Sequence, residues 1–78
     1  MKIEVLGTGC AKCKELFERA KTAIAKSGRF AQLEKVEDVM AIMNDGVAST
    51  PALVIDGEVK CAGRLPTVDE ILKWIEGN

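Results

Sequence analysis

The feature that most limits what this chain can fold into is a junction. A short apolar run, Ile3 to Leu6, meets a small turn, Gly7-Thr8-Gly9, and the residues beyond it read at once as a helix. Met1 to Leu6 has the two-residue period of a strand, with Ile3 and Val5 on one face. From Ala11 to about Lys26 the period changes. Leu16, Phe17, Ala20, Ala23 and Ile24 share one stripe, the charges fall opposite, and Ser27-Gly28 ends the helix. A strand feeding an amphipathic helix, followed by a second short strand around Ala31 to Val36, is a βαβ unit, whose crossover is right-handed in nearly every case.

The remaining elements complete a sheet. Asp38 opens a short helix in which Val39, Ile42 and Met43 face inward, and Asn44-Asp45-Gly46 closes it with residues that tolerate left-handed geometry. Ala52 to Ile55 is a strand, Asp56-Gly57 a two-residue hairpin turn, and Val59 to Ala62 the return strand. Pro66 precedes the last helix. Thr67-Val68-Asp69-Glu70 has the capping-box form, and Ile71, Leu72, Trp74 and Ile75 supply that helix's buried side. The order βαβαββα predicts an α/β fold, a four-stranded mixed sheet with helices on both faces, in a single domain over residues 1–78.

The junction also carries the chemistry. Cys10 and Cys13 stand at the helix start with only Ala11-Lys12 between them. The first N–H groups of a helix lack internal partners, and the helix dipole favours negative charge there. A cysteine in that turn is pushed toward thiolate, the form that attacks disulfides and binds soft metals. The plainer alternative, that the two are merely small apolar residues in a helix, requires both to sit in the core, and the turn places Cys10 outside it.

Composition removes other classes. The 78 residues suffice for one small domain, and 47% apolar content sustains a core. Eleven basic against twelve acidic residues leave a net charge of −1, which gives nucleic acid no basic face to meet. Apolar runs such as Pro51 to Ile55 reach only five residues, far too short for a membrane span, and Lys2 and Glu4 interrupt any signal-peptide pattern, so the expected location is the cytoplasm. Three cysteines is an odd number, unlike a secreted disulfide scaffold. Histidine is absent, so a closed zinc site with its four ligands is not expected, nor is any cofactor.

Gly7-Thr8-Gly9-Cys10-Ala11-Lys12-Cys13 after the first strand, Ser49-Thr50-Pro51 before the third and Gly63 after the fourth resemble the thioredoxin-like superfamily. More narrowly, the chain is similar to the small single-domain redox-active disulfide proteins, between glutaredoxin and thioredoxin in character. The resemblance covers essentially the whole chain and implies a minimal thioredoxin fold. It implies a thiol:disulfide oxidoreductase with Cys10 as nucleophile and Cys13 as resolving thiol. Pro51 would be a cis-proline facing the pair, Thr50 would offer its backbone to an extended substrate, and Gly63 would let the chain pass close beside the site. A monomer exchanging electrons between a reductase and a protein or low-molecular-weight disulfide follows from the same resemblance. The chain departs from thioredoxin in having Ala11-Lys12 where that protein has Gly-Pro, and no tryptophan before Cys10.

Glu4 lies six residues before Cys10, where thioredoxins keep a buried acid that takes the resolving cysteine's proton. The alternative is a solvent-facing carboxylate beside Lys2. Cys61 is most simply a buried small hydrophobe, with an intermolecular disulfide as its functional reading. Trp74 reads as core, Met40 and Met43 as helix packing, and Arg64 as an ordinary exposed arginine. A rival from another class is a soft-metal carrier, since two thiolates at this spacing take Cu(I). The heavy-metal-associated domain that does so ends in a strand, has no Thr-Pro and carries a methionine near its first cysteine; this chain ends in a helical pattern. A third reading is a thioredoxin-fold adaptor that binds peptides without catalysis, against which the intact pair argues.

Overall fold

The computed structural model of the chain describes residues 1–7, 11–38 and 49–77. Among them are β1 (Lys2–Leu6), α1 (Ala11–Ser27), β2 (Gln32–Val36), β3 (Ala52–Ile55), β4 (Glu58–Ala62) and α2 (Val68–Ile75). The strands form one sheet in the order β2-β1-β3-β4. β1 and β2 run parallel, and β3 is antiparallel to both β1 and β4. This is the α/β mixed sheet expected from the residue pattern. The short helix expected after Asp38, with Met40, Met43 and its closing turn, lies outside the described residues. The element bounds differ from expectation by a residue or so. Met1 stands outside β1, although its carbonyl accepts the Gln32 N–H at 2.9 Å.

The core follows from the pleat. Ile3 and Val5 of β1 and Leu53 and Ile55 of β3 leave the sheet on one face, where they meet Leu16, Ala20 and Ala23 of α1 and Ile71 and Ile75 of α2. Each large side chain so buried contributes about 1.5–3 kcal/mol. Alanines at 20 and 23 are fully buried, and their small size lets α1 settle close. Phe17, Ile24, Leu72 and Trp74 pack half-buried around this cluster. Leu6, Ala52 and Val54 are buried on the opposite face with Val36 against them. The central strand β3 is therefore apolar throughout, as its Ala-Leu-Val-Ile sequence dictates.

Local chemistry sets the ends. Asp56 and Gly57 both take positive φ, 50° and 84°, as a two-residue hairpin loop twisted with its strands requires. The Asp56 carboxylate accepts the Lys2 backbone N–H at 2.8 Å, and the Asp56 N–H donates to the Lys2 carbonyl at 2.8 Å, tying the hairpin to the start of β1. The capping box forms as expected: Thr67 accepts from the Glu70 N–H, and the Glu70 carboxylate accepts from the Thr67 N–H. Arg19 on α1 reaches across to donate to the Pro66 carbonyl at 2.9 Å, which fixes the entry to α2. β4 carries a bulge, with Leu53 opposite Cys61 and Val54 opposite Val59.

Register brings the strand ends to one edge of the sheet. Leu6 is opposite Val36 on one side and Ala52 on the other, and Ala52 is opposite Ala62. The next residue of each segment, Gly7, Glu37, Pro51 and Gly63, therefore leaves the sheet at that same end. Among the described residues, no helix is long and apolar enough to cross a membrane.

Candidate functional site

Gly7 is the pivot of this edge. Its N–H donates to the Val36 carbonyl at 3.0 Å, continuing the β1–β2 ladder by one bond, and the residue is buried. A Cβ built on Gly7 would collide with the Cys13 Sγ, would come 3.0 Å from the Cys13 Cβ and would lie 3.9 Å from the Thr50 Cβ. Cys13, in the first turn of α1, thus packs its sulfur against a bare backbone, with Thr50 on the other flank. No acidic residue occupies that first helical turn, so nothing there offsets the positive end of the dipole. Cys10 lies outside the described residues.

The Thr50–Pro51 peptide bond is cis. The Pro51 ring is fully buried, whereas Ser49 and Thr50 are exposed. The N–H of Gly63 donates to the Pro51 carbonyl at 2.9 Å. Gly63 has φ 80°, and a Cβ there would sit 3.1 Å from the Ser49 Cβ, so both its conformation and its tight neighbour favour glycine. The structure therefore brings Cys13, Thr50, Pro51 and Gly63 to one edge of the sheet.

Glu4 stands differently. It is half-buried in mid-β1, between Glu34 on β2 and Val54 on β3. Strand alternation sends its side chain to the face opposite Ile3 and Val5. Lys2, on the same face, pairs with Glu34 at 3.6 Å. Cys61 is buried, as expected of a small hydrophobe, with its Sγ 3.6 Å from the Arg64 carbonyl. Arg64 is engaged: its guanidinium donates to both Glu70 carboxylate oxygens, at 3.1 and 2.7 Å. That bond first, and then the Thr67 N–H, hold the Glu70 carboxyl down at about 2.

Residue patterns alone missed two parts of this edge. Gly7 reads as a turn residue, and its role as the seat of the Cys13 sulfur is a tertiary contact. The charged wall beyond it, Lys35 and Glu37, comes from β2 and is placed only by the parallel register. A glycine directly following an apolar strand and preceding a cysteine-bearing helix was the one available signal. Among the described residues, no group of three or more His, Cys, Asp or Glu could hold a metal ion.

Comparison with known proteins agrees with this architecture. The family model for the thioredoxin domain matches residues 1–76. A thioredoxin from Methanothermobacter thermautotrophicus is 40% identical over 73 residues, covering 94% of this chain and 95% of that protein. A thioredoxin from Methanocaldococcus jannaschii is 38% identical over 69 residues, covering 88% of this chain and 79% of that one. With its mixed sheet, its cysteine-bearing α1 and these relatives, the chain belongs to the thioredoxin family of thiol:disulfide oxidoreductases.

Proposed function

We propose that the protein works by dithiol–disulfide exchange at Cys10 and Cys13, as a cytoplasmic monomer passing electrons from a reductase to protein or small disulfides. The Cys10 thiolate attacks one sulfur of the substrate disulfide, and the other sulfur leaves as thiolate. Cys13 then attacks the Cys10 sulfur, closing the Cys10–Cys13 bond and releasing the reduced substrate. No separate base is needed where the helix terminus already favours the thiolate, and Lys12 and Lys14 add positive charge in that first turn. Thr50 offers its backbone to an extended substrate segment. Pro51 and Gly63 shape the floor beneath it.

The observation that carries this reading is the seating of the Cys13 sulfur on Gly7, beside Thr50, in the first turn of α1. It leaves the resolving thiol shielded, packed against the backbone just beyond β1. A proton-acceptor role for Glu4 has half-burial in its favour and its sheet face against it. Glu4→Gln decides the matter: slower turnover at neutral pH supports the role, and unchanged kinetics removes Glu4 from the mechanism.

The direct test is equilibration with glutathione or dithiothreitol buffers, followed by alkylation and mass measurement. The expected result is an intramolecular Cys10–Cys13 disulfide with a defined potential. A value near −270 mV, on the order of thioredoxin's, marks a reductant, and one on the order of −120 mV an oxidant. Failure to form the bond at any buffer ratio would overturn the proposal and favour a metal-binding pair.

A further inference from the structure

The segment that joins β4 to α2, Gly63 to Thr67, is tied down at every residue. The Gly63 N–H donates to the Pro51 carbonyl, and its backbone backs onto Ser49 so closely that a Cβ would lie 3.1 Å from the Ser49 Cβ. The Arg64 carbonyl accepts the Cys61 thiol at 3.6 Å. Leu65 packs against the core, the Pro66 ring is fully buried, and the Pro66 carbonyl takes the Arg19 guanidinium. Thr67 caps α2. One side-chain bridge spans this segment. Two nitrogens of Arg64 meet the two Glu70 carboxylate oxygens at 3.1 and 2.7 Å, and the same carboxylate accepts the Thr67 N–H at 3.1 Å. The bridge links the residue after Gly63 to the first turn of α2, through a planar fork that fixes orientation as well as distance. Its side chains are 55% and 38% exposed, so screening and ordering costs leave it little to add to overall stability.

We propose that Arg64, clamped by Glu70, is a positioning residue for disulfide exchange with peptide substrates: it keeps Gly63 against Ser49 and Pro51 and so keeps the Ser49–Thr50 backbone where an extended segment pairs with it. The inference rests on the Cys10–Cys13 exchange proposed above and names the device that holds its peptide edge in shape. Without the clamp, the edge occupies its pairing position for only part of the time, and apparent affinity for a peptide falls by that fraction. Arg64 acts through Gly63 and not on the sulfurs, so the defect belongs to binding. A small disulfide has no extended segment to pair and does not draw on the edge.

The test mixes the reduced full chain with an excess of hydroxyethyl disulfide or of a short peptide dimer joined through central cysteines. Closure of the Cys10–Cys13 bond is followed by acid quench, alkylation and mass measurement. Arg64→Ala should raise the peptide concentration giving half-maximal rate by about two- to fivefold, the range that loss of an exposed pair allows, with the limiting rate moved far less. The peptide-to-small-disulfide rate ratio at low concentration should fall by the same factor. Arg64→Gln serves if the alanine variant is unfolded by its Trp74 fluorescence. Arg64→Lys keeps the charge but cannot form the fork, so it should restore little. Glu70→Gln keeps an acceptor for the cap but loses the charge, and should raise the half-saturating concentration too; the double variant should be no worse than the worse single one. A half-saturating concentration equal to the parent's, full restoration by lysine, or equal slowing with both substrates would overturn the inference. Tighter peptide binding by Glu70→Gln would overturn it as well, because the freed guanidinium would then be meeting substrate itself. Hydroxyethyl disulfide on the parent chain separates the two failures. If it closes the Cys10–Cys13 bond while the Arg64 series is flat, only the clamp's role falls. If the bond never closes, the exchange mechanism falls and takes the clamp's role with it.

Discussion

Replacing Gly7 with alanine tests the contact on which the site is built. Gly7 is not among the positive-φ glycines, so alanine meets no backbone strain there, and the smaller entropy of the unfolded chain alone would stabilise by about 0.4–1 kcal/mol. Against that stands the new methyl group, which would overlap the Cys13 Sγ and approach the Cys13 Cβ to 3.0 Å. Overpacking of this kind costs about 1–3 kcal/mol. The collision is with a buried sulfur only two bonds from a helical backbone, which has little room to retreat, so the cost exceeds the gain. The expected net loss is about 1–2 kcal/mol, and each kcal/mol lowers the melting temperature of a domain this small by about 4–8 °C. Denaturant unfolding of the reduced protein, followed through Trp74, measures it. The same substitution made with Cys13→Ala should be milder by about 1 kcal/mol, because the sulfur is gone and contacting residues couple on that scale. A reduced Gly7→Ala protein as stable as its parent, or a penalty unchanged by Cys13→Ala, would refute the packing argument.

Three further outcomes are expected. Leu16→Ala removes a fully buried side chain from the α1–sheet interface and should cost about 2–5 kcal/mol in denaturant titration, the range for cavities that collapse only partly. Thr67→Ala breaks the capping box of α2 and should cost about 1 kcal/mol by the same measurement. Glu70 governs part of the acid limb. Its carboxyl is held at about 2 in the folded state, chiefly by Arg64, against an ordinary 4.5, so the unfolded chain binds the proton more readily between those values. The stabilisation is complete above pH 4.5 and is lost as pH falls toward 2. The stability difference between the parent and Glu70→Gln should therefore shrink across that window, and a constant difference would contradict the assignment.

Much of the fold was legible because it depends on short-range physics. The period change between Leu6 and Ala11, the Asp56-Gly57 turn and the Thr67 capping box each follow from neighbouring residues, and each appears where the pattern puts it. The candidate site was legible in its residue types. Cys13, Thr50, Pro51 and Gly63 were all named from motif and resemblance. What could not be read was which of them touch. Nothing local says that Gly7, and no larger residue, must seat the Cys13 sulfur, or that Lys35 of β2 lines the small recess beside it.

Glu4 shows the same limit from the other side. Its position six residues before Cys10 suggests a partner for the thiols, but the direction of its side chain depends on the phase of the whole strand. Ile3 and Val5 settle that phase by burying themselves under α1, and Glu4 is carried to the other face as a consequence.

The amino-acid order by itself determined the kinds of elements, their sequence along the chain and the reactive groups they carry, since propensity, capping and turn geometry act over a few bonds. Tertiary structure alone decided the register that gathers four strand ends at one edge and the side of the sheet on which each functional residue emerges. Those depend on how the helices and the central strand bury their apolar faces together, a cooperative packing of distant segments that no single stretch of residues contains.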